Sequence, residues 1–271
     1  MSTQPSQDPG AGASPERAPG AEPRCLLALS TSTEWCSVAL RQREAGDVRR
    51  AFLGERAGQD HSRLVLVMAR RLLAEAGLGF ADLDAIAFDC GPGTFTGLRI
   101  GCGIAQGLGF ALGLPLVAVS SLEALAQQAG ATVALTAIDA RMNEVYCSAY
   151  RLEEDDPRPL DPIRVLPPAA ALGHLVDCLE RAGDQAGGQG AVAIGDAASR
   201  HPELGEALRR RGLRVIDDAW PRADAVAEVA ALRFAQGRAV QASEAAPLYV
   251  RDKVALDVSE QQRLRQARDA R

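Results

Sequence analysis

The stretch ALSTSTEWCSVALR, residues 28–41, places two apolar strands around a turn rich in hydroxyl groups. A similar stretch, ALTAIDARMNEVYCSAYR, occupies residues 134–151 and has four more residues. Repetition of one hairpin in the two halves of a chain indicates an internally duplicated fold. The match is weak and also compatible with chance, so both interpretations stay open at this point.

Hydrophobic runs and turn residues predict the same order of elements around each hairpin. The first half predicts strands over 25–30, 35–41, 47–54, 84–90 and 116–119, with helices over 62–76, 98–112 and after Ser121. The second predicts strands over 133–139, 144–151, 163–166, 191–194 and 213–216, with helices over 168–182, 202–211 and 222–236. Two successive β-β-β-α-β-α units predict a two-lobed α/β protein, with mixed sheets flanked by helices.

The chain is expected to divide into four regions. Residues 1–24 contain five prolines and few apolar side chains, so we expect a disordered tail. A first lobe over 25–121 and a second lobe over 122–250 follow, and 251–271 forms a charged C-terminal tail. The last predicted helix could pack back on the first lobe, which leaves the boundary between the lobes open.

Composition excludes several classes of function. The 271 residues carry 30 Lys and Arg against 35 Asp and Glu, and the net charge is −5. This balance argues against autonomous nucleic-acid binding, although RNA could be bound jointly with a basic partner. The six cysteines form no C-x-x-C pair, and no uninterrupted apolar run reaches 18 residues. We therefore expect a soluble cytoplasmic protein with reduced thiols and no membrane association.

Two glycine- or hydroxyl-rich segments are candidates for holding phosphate. The loop GPGTFTGLRIGCGIAQGLG, residues 91–109, follows a strand and opens a helix, an arrangement that attracts anions. It lacks the Gly-Lys-Ser/Thr of a Walker loop, and a tight strand-to-helix turn is the alternative interpretation. The hydroxyl turn resembles the phosphate hairpin of sugar kinases and actin-like ATPases, but it lacks their acidic residue. We therefore predict at most a vestigial phosphate site, formed by Ser30, Thr31, Ser32, Thr33, Gly91, Gly93 and Thr94.

Two predicted helices carry more small and apolar residues than a one-sided surface helix needs. The helix over 62–76 is apolar nearly all round its first turns, and the next helix has glycines spaced by four. Either these faces are buried within the chain or they bind another protein. For the second case we predict an interface of His61, Leu64, Val65, Met68, Leu72, Gly97, Gly101, Ile104 and Gly107. Replacing Met68 with Asp should then leave the lobe folded and abolish pairing.

No catalytic or metal-binding constellation is predicted. His61, His174 and His201 are scattered, and none has a second histidine three or four residues away. No G-x-S-x-G nucleophile motif occurs. Asp139 ends a strand in the repeated hairpin and is interpreted as a turn or cap residue.

Several of these motifs together resemble the TsaB family of bacterial tRNA threonylcarbamoyladenosine biosynthesis proteins, formerly called YeaZ. They are LLALSTSTEWCSVAL, the His61-Ser62 helix start, GPGTFTGLRIGCGIAQGLG, AIDARMNEVYCSAY and PLYVRDKVAL. The resemblance spans about residues 25–256 and implies the two-lobed actin-like ATPase fold, of the ribonuclease H-like type. The family usually begins I-D-T, whereas this chain has Leu29-Ser30-Thr31.

The resemblance also implies a function without chemistry of its own. It predicts a non-catalytic scaffold for a TsaD-like catalytic paralogue, which transfers a threonylcarbamoyl group to the adenosine beside the tRNA anticodon. It further implies a TsaE-like ATPase as a partner, contact with tRNA only through the complex, and a homodimer when the protein is alone. The paralogue's His-x-x-x-His metal helix is incomplete here, because Val65 stands four residues after His61.

Two other functions remain as alternatives at this stage. An active ATPase or kinase is suggested by the two phosphate-loop-like turns, and a peptidase only by an older label of the family. No cofactor is expected to be required. The cleft leaves room for a bound nucleotide, but the missing acid at position 30 predicts that it is not hydrolysed.

Overall fold

The computed structural model describes residues 20–183 and 190–251, which form two mixed β-sheets. The first sheet has the order β3-β2-β1-β4-β5. Its strands are β1 (Cys25–Ser30), β2 (Trp35–Glu44), β3 (Asp47–Arg56), β4 (Ala85–Gly91) and β5 (Leu116–Ser120). The three strands β1, β2 and β3 pair antiparallel, while β4 lies parallel to both β1 and β5.

The strands of the second sheet are β6 (Val133–Arg141), β7 (Glu144–Glu153), β8 (Asp156–Pro159), β9 (Arg164–Leu166), β10 (Ala191–Ile194) and β11 (Arg214–Ile216). This sheet repeats the topology of the first, with the order β11-β10-β6-β7-β8, and β9 pairs in addition with β7. The β6–β7 hairpin takes the place of β1–β2, and β10 lies parallel to β6 as β4 does to β1. The repeated hairpin sequence therefore marks a repeated fold.

Helices complete a stack of five layers. Helices α1 (His61–Glu75) and α2 (Phe95–Leu112) cover the outer face of the first sheet. Helices α3 (Ser121–Gln128) and α7 (Ala223–Ala235) lie between the sheets and contact each other. Helices α4 (Pro168–Arg181), α5 (Ala197–Arg200) and α6 (Pro202–Arg210) cover the outer face of the second sheet. The mixed α/β class predicted from the sequence is confirmed.

Both faces of the central strands are buried because helices cover each side. In β1, Leu27 and Leu29 face α1 and α2, whereas Leu26 and Ala28 face α7. The strand is consequently a continuous apolar run, as expected of a strand covered on both faces. No helix within the described residues 20–183 and 190–251 is long and apolar enough to cross a membrane.

The ends of the fold differ from the expected boundaries. Glu22 forms an ion pair with Arg41 at 2.7 Å, and the amide of Arg24 donates to Asp84 at 2.7 Å, so residues 20–24 pack on the first sheet. Arg251, expected to open the C-terminal tail, pairs with Glu144 and donates to the carbonyl of Ala140. Of the tails predicted over residues 1–24 and 251–271, the parts over 1–19 and 252–271 lie outside the described residues.

Local patterns explain the elements that sequence reasoning misplaced. Helix α2 begins at Phe95, three residues before the predicted start, directly after Thr94, whose backbone is extended and whose side chain makes no capping hydrogen bond. Strand β8 was not predicted because its sequence, DPRP, contains two prolines, and it lies at the edge of its sheet, where prolines are tolerated. Helix α7 contacts β1 and β2 of the first sheet, although it follows the second sheet in the chain.

Candidate functional site

A cleft with a cavity of about 330 Å³ lies between the two lobes, the first built on the first sheet and the second on the second. The hydroxyl turn after β1 and the glycine loop after β4 form its first wall. The second wall comes from the β6–β7 turn and from the segments before α5 and α7. The chemistry of both walls decides what this cleft can bind.

The hydroxyl groups of the first wall are mostly committed to bonds within the chain. Ser30, Thr31 and Ser32 are buried, and the hydroxyl of Thr31 donates to the carbonyl of Gly97 at 2.7 Å. The hydroxyls of Ser30 and Ser32 both contact the carboxyl of Asp89. Thr33 accepts a hydrogen bond from the amide of Trp35 at 3.2 Å. The turn therefore does not present a row of free hydroxyls to a phosphate.

The glycine loop packs directly on this turn. The amide of Thr94 donates to the carbonyl of Ser32 at 2.7 Å. A Cβ atom on Gly93 would lie 2.3 Å from the carbonyl oxygen of Ser32, and one on Gly97 would lie 2.0 Å from that of Thr31. These glycines are thus required for close packing of the loop on the turn. A tight turn that packs on the hydroxyl turn therefore explains the glycines of this loop, and a bound phosphate is not needed to explain them.

Asp89 is the buried acid that sequence reasoning missed at this site. Its side chain is fully enclosed at the end of β4, beside the hydroxyl turn. Besides the two hydroxyls of the turn, it accepts from the hydroxyl of Ser121 at 2.5 Å and from the amide of Gly91 at 3.0 Å. Burial raises the pKa of Asp89, and these hydrogen bonds oppose the rise. A carboxyl group therefore lies next to Ser30, although position 30 itself has no acidic residue. This carboxyl group belongs to β4 and not to β1.

The second wall carries two acidic side chains close together. The amide of Asp139 donates to the carboxylate of Asp196 at 2.9 Å, and His201 lies 3.4 Å from the carboxylate of Asp139. Burial raises the pKa of Asp196, with the charge of Asp139 adding to the rise. Asp139 also accepts from the amide of Arg141 at 3.1 Å, which confirms its predicted role in the turn.

Two contacts bridge the walls across the cleft. The rings of Trp35 and Trp220 stack with their centroids 4.8 Å apart, and Arg200 lies 3.4 Å from Glu34. Arg56 also pairs with Glu34, at 2.8 Å, and lies over the ring of Trp35. Aromatic and charged side chains of the protein itself therefore reach across the cleft from both walls.

The residues predicted to form a partner interface mostly lie inside the first lobe. Val65 and Leu72 are fully enclosed, Leu64 is 8% and Met68 6% exposed, and His61 bonds through Nε2 to the carbonyl of Thr33 at 2.9 Å. Gly97 and Gly101 face Thr31. These seven residues pack within the chain, so a Met68→Asp substitution would disrupt the core instead of isolating an interface.

The outer faces of the same two helices nevertheless carry exposed apolar side chains, although α1 also exposes the charged side chains of Arg63 and Arg71. Val67 of α1 is 54% exposed, and Phe110 of α2 is 65% exposed. A Cβ atom on Gly103 or Gly107 would project into open space, with no contact within 4 Å, and Ile104 is half-buried beside them. We call the surface of Val67, Gly103, Ile104, Gly107 and Phe110 the outer helical face. Of the predicted interface residues, only Ile104 and Gly107 belong to it.

Two lobes of one topology, stacked with a cleft between them, define this protein as a member of the actin-like ATPase fold class. The family model of TsaD, tRNA N6-adenosine threonylcarbamoyltransferase, matches residues 49–256. The chain is 37% identical to the tRNA threonylcarbamoyladenosine biosynthesis protein TsaB of Haemophilus influenzae, over 84% of this chain and 94% of that protein. It is 36% identical to TsaB of Escherichia coli K12, over 85% of this chain and 96% of that protein.

A solved structure, YeaZ from Pseudomonas aeruginosa, matches with a TM-score of 0.68 at 37% identity, covering 83% of this chain and 99% of that one. The chain belongs to the TsaB family. The resemblance stated from the sequence motifs is thereby confirmed, together with the fold that it implied.

Proposed function

We propose that this protein is the accessory subunit of the machinery that attaches a threonylcarbamoyl group to the adenosine beside the tRNA anticodon. The observation that carries the proposal is its match to proteins named for threonylcarbamoyladenosine biosynthesis, over 94% and 96% of their lengths. The match to the TsaD family model makes a TsaD-like catalytic subunit the natural partner. Two related chains of one fold can pair through equivalent surfaces.

The outer helical face is the surface proposed to bind that partner. It combines exposed apolar side chains with two glycines that no other atoms of the described chain cover. Another helix could therefore approach its backbone closely. The same face would serve self-pairing when the protein is alone. A TsaE-like ATPase and tRNA would join through the complex, in the cytoplasm, where the six buried free thiols would stay reduced.

Complex formation with the TsaD-like paralogue of the same cells tests this function. Light scattering after size exclusion should show a one-to-one complex of the wild-type proteins. Phe110→Asp should weaken its affinity by about thirtyfold or more, since a charge would replace an exposed aromatic anchor. Met142→Asp is the matched control, because Met142 is equally exposed, at 63%, but lies beside the cleft on the second lobe.

The outcomes separate the two parts of the proposal. Wild-type affinity in Phe110→Asp, with loss in Met142→Asp, would place the interface at the cleft. No association of the wild-type proteins, even with ATP and the TsaE-like protein present, would overturn the accessory role.

We further propose that the protein has no nucleotide-hydrolysing activity of its own. The support is chemical: Ser30, Thr31 and Ser32 are bonded internally, and the glycine loop is packed on them. Purified protein should therefore show no magnesium-dependent ATP turnover above a protein-free blank. Turnover that disappears in Thr33→Ala, a turn hydroxyl that lines the cavity, would revive the ATPase alternative.

A further inference from the structure

Three potential metal ligands converge on the outer side of the second lobe, away from the cleft. His174 and Cys178 lie four residues apart on α4 and so share one helical face. Asp161 reaches them from the loop between β8 and β9. The His174 Nε2 atom lies 3.3 Å from Asp161 Oδ2 and 3.8 Å from Cys178 Sγ, and all three ligand atoms lie within 4.8 Å of one another.

The geometry distinguishes a metal site from a catalytic relay. In a Cys-His-Asp relay the thiol and the carboxylate contact opposite nitrogens of the imidazole ring. Here both groups face the same nitrogen, Nε2. Cys178 is also only 1% exposed, which denies a substrate access to its sulfur. The three groups are therefore arranged around a common point.

Two of the three distances between these ligand atoms are close to those around a tetrahedral zinc ion. Zinc bonds of about 2.0–2.3 Å to oxygen, nitrogen and sulfur place neighbouring ligand atoms about 3.3–3.7 Å apart. Two of the three separations already lie close to this range. The loop that carries Asp161 is held in place, because the hydroxyl of Ser148 donates to the carbonyl of Asp161 at 2.9 Å.

We propose that Asp161, His174 and Cys178 bind a zinc ion, with the fourth position open to water from the adjoining groove. Thiolate, imidazole and carboxylate together are a donor set that suits zinc. On binding, the Cys178 thiol releases its proton to solvent and the sulfur bonds to the metal, while the imidazole stays neutral. Two anionic ligands then balance the charge of the ion.

Two arginines compete with a cation for these ligands. Arg181 donates to the sulfur of Cys178 at 3.2 Å, and Arg164 donates to the carboxylate of Asp161 at 3.2 Å. Both arginine side chains line the open groove, where they can turn into solvent. Only the arginine ends of these contacts are exposed, and exposed charged side chains contribute little to stability, so an ion can displace them. Asp177 and Glu180 line the same groove and attract cations toward it.

Cobalt(II) and zinc titrations of the full-length reduced protein test the site. Cobalt should produce a thiolate charge-transfer band with one ion per chain, and excess zinc should abolish that band. Zinc should also raise the thermal midpoint, because an ion that binds only the folded chain stabilises it. Cys178→Ala should lose the band, whereas Cys102→Ala, a buried cysteine of the first lobe, should keep it.

Two further variants keep the test decisive if Cys178→Ala fails to fold. Asp161→Asn should weaken zinc binding at least tenfold, and Arg181→Ala should tighten it, because a competing cation is removed. The proposal is wrong if wild-type protein shows no cobalt–thiolate band. It is equally wrong if the band survives Cys178→Ala, or if Asp161→Asn leaves the affinity for zinc unchanged.

Discussion

At the scale of single residues, burial and hydrogen bonding shift the pKa of Asp89 in opposite directions. The hydroxyl oxygen of Ser30 lies 2.9 Å from the Asp89 carboxyl and 2.8 Å from the carbonyl oxygen of Pro221. A hydroxyl has one proton, so the two acceptors compete for it. When the carbonyl of Pro221 takes that proton, Ser30 no longer donates to Asp89, and the hydrogen bonding that opposes the effect of burial is weakened. A weaker hydrogen bond from Ser30 is consistent with the raised pKa of Asp89 that burial causes.

The pH dependence of stability should therefore carry a contribution from Asp89. Because its pKa is higher in the folded chain than in the unfolded chain, its proton stabilises the fold. That contribution is complete below the unfolded pKa and is lost as pH rises through the folded pKa. Asp89→Asn, which stays neutral, should lose less stability than wild type as pH rises. Urea denaturation at a series of pH values measures this difference.

Asp47→Asn serves as the control for this prediction, because Asp47 is exposed at the start of β3. Its pH profile should follow that of the wild type. Parallel profiles for wild type and Asp89→Asn would contradict a raised pKa of Asp89 in the folded chain.

At the scale of elements, helix α2 has two glycine faces with different roles. Gly97 and Gly101 let the helix approach the hydroxyl turn, and a Cβ on Gly101 would lie 2.5 Å from the Thr31 hydroxyl oxygen. Gly103 and Gly107 face outward with nothing nearby. The inner face thus fixes the helix on its own lobe, whereas the two outer glycines are not covered by any other part of the described chain.

Alanine substitutions on the two faces should have opposite effects on the free energy of unfolding. Gly97→Ala places a methyl group against the Thr31 carbonyl and should lower this free energy by about 1–3 kcal/mol. Gly103→Ala meets no atom and improves helix propensity, so it should raise the free energy by up to about 1 kcal/mol. Urea denaturation of both variants gives the comparison. Equal effects would show that the inner glycines are not needed for packing.

At the scale of the whole molecule, α3 and α7 join the two sheets. Arg233 of α7 forms an ion pair with Glu123 of α3, and both side chains are nearly buried, at 8% and 12% exposure. Arg233 also donates to the carbonyl of Ala118 in β5 at 2.8 Å. One side chain therefore links both helices of the middle layer to the first sheet.

Removing this cation should destabilise the molecule strongly. Arg233→Met leaves Glu123 buried without its partner, and we expect a loss of about 3–5 kcal/mol in the free energy of unfolding. Arg210→Met is the matched control, because Arg210 pairs with Glu206 at 3.3 Å on the exposed side of α6. Its loss should stay below about 0.5 kcal/mol. Similar losses in the two variants, measured by denaturant unfolding, would contradict the linking role of Arg233.

Much of this architecture was predictable because local patterns decide it. Strand β1 occupies residues 25–30 and β10 residues 191–194, as their apolar runs predict. The repeated hairpin sequence indicated the repeated topology of the sheets. Family membership was also predictable from the motifs. The glycine loop and the hydroxyl turn pack closely on each other, so each restricts which residues the other can contain.

The sequence by itself thus determined the strands, the two similar halves and the family of this protein. Only the tertiary structure decided which face of each helix is free. Met68 and Val67 are neighbours on an apolar helix, yet one is buried and the other exposed. Asp89 was visible as an acid in an apolar strand, but Ser30 and Ser121 reach it from 59 and 32 residues away. Spacing along a chain specifies local structure, whereas burial and side-chain contacts depend on which distant segments the fold brings together.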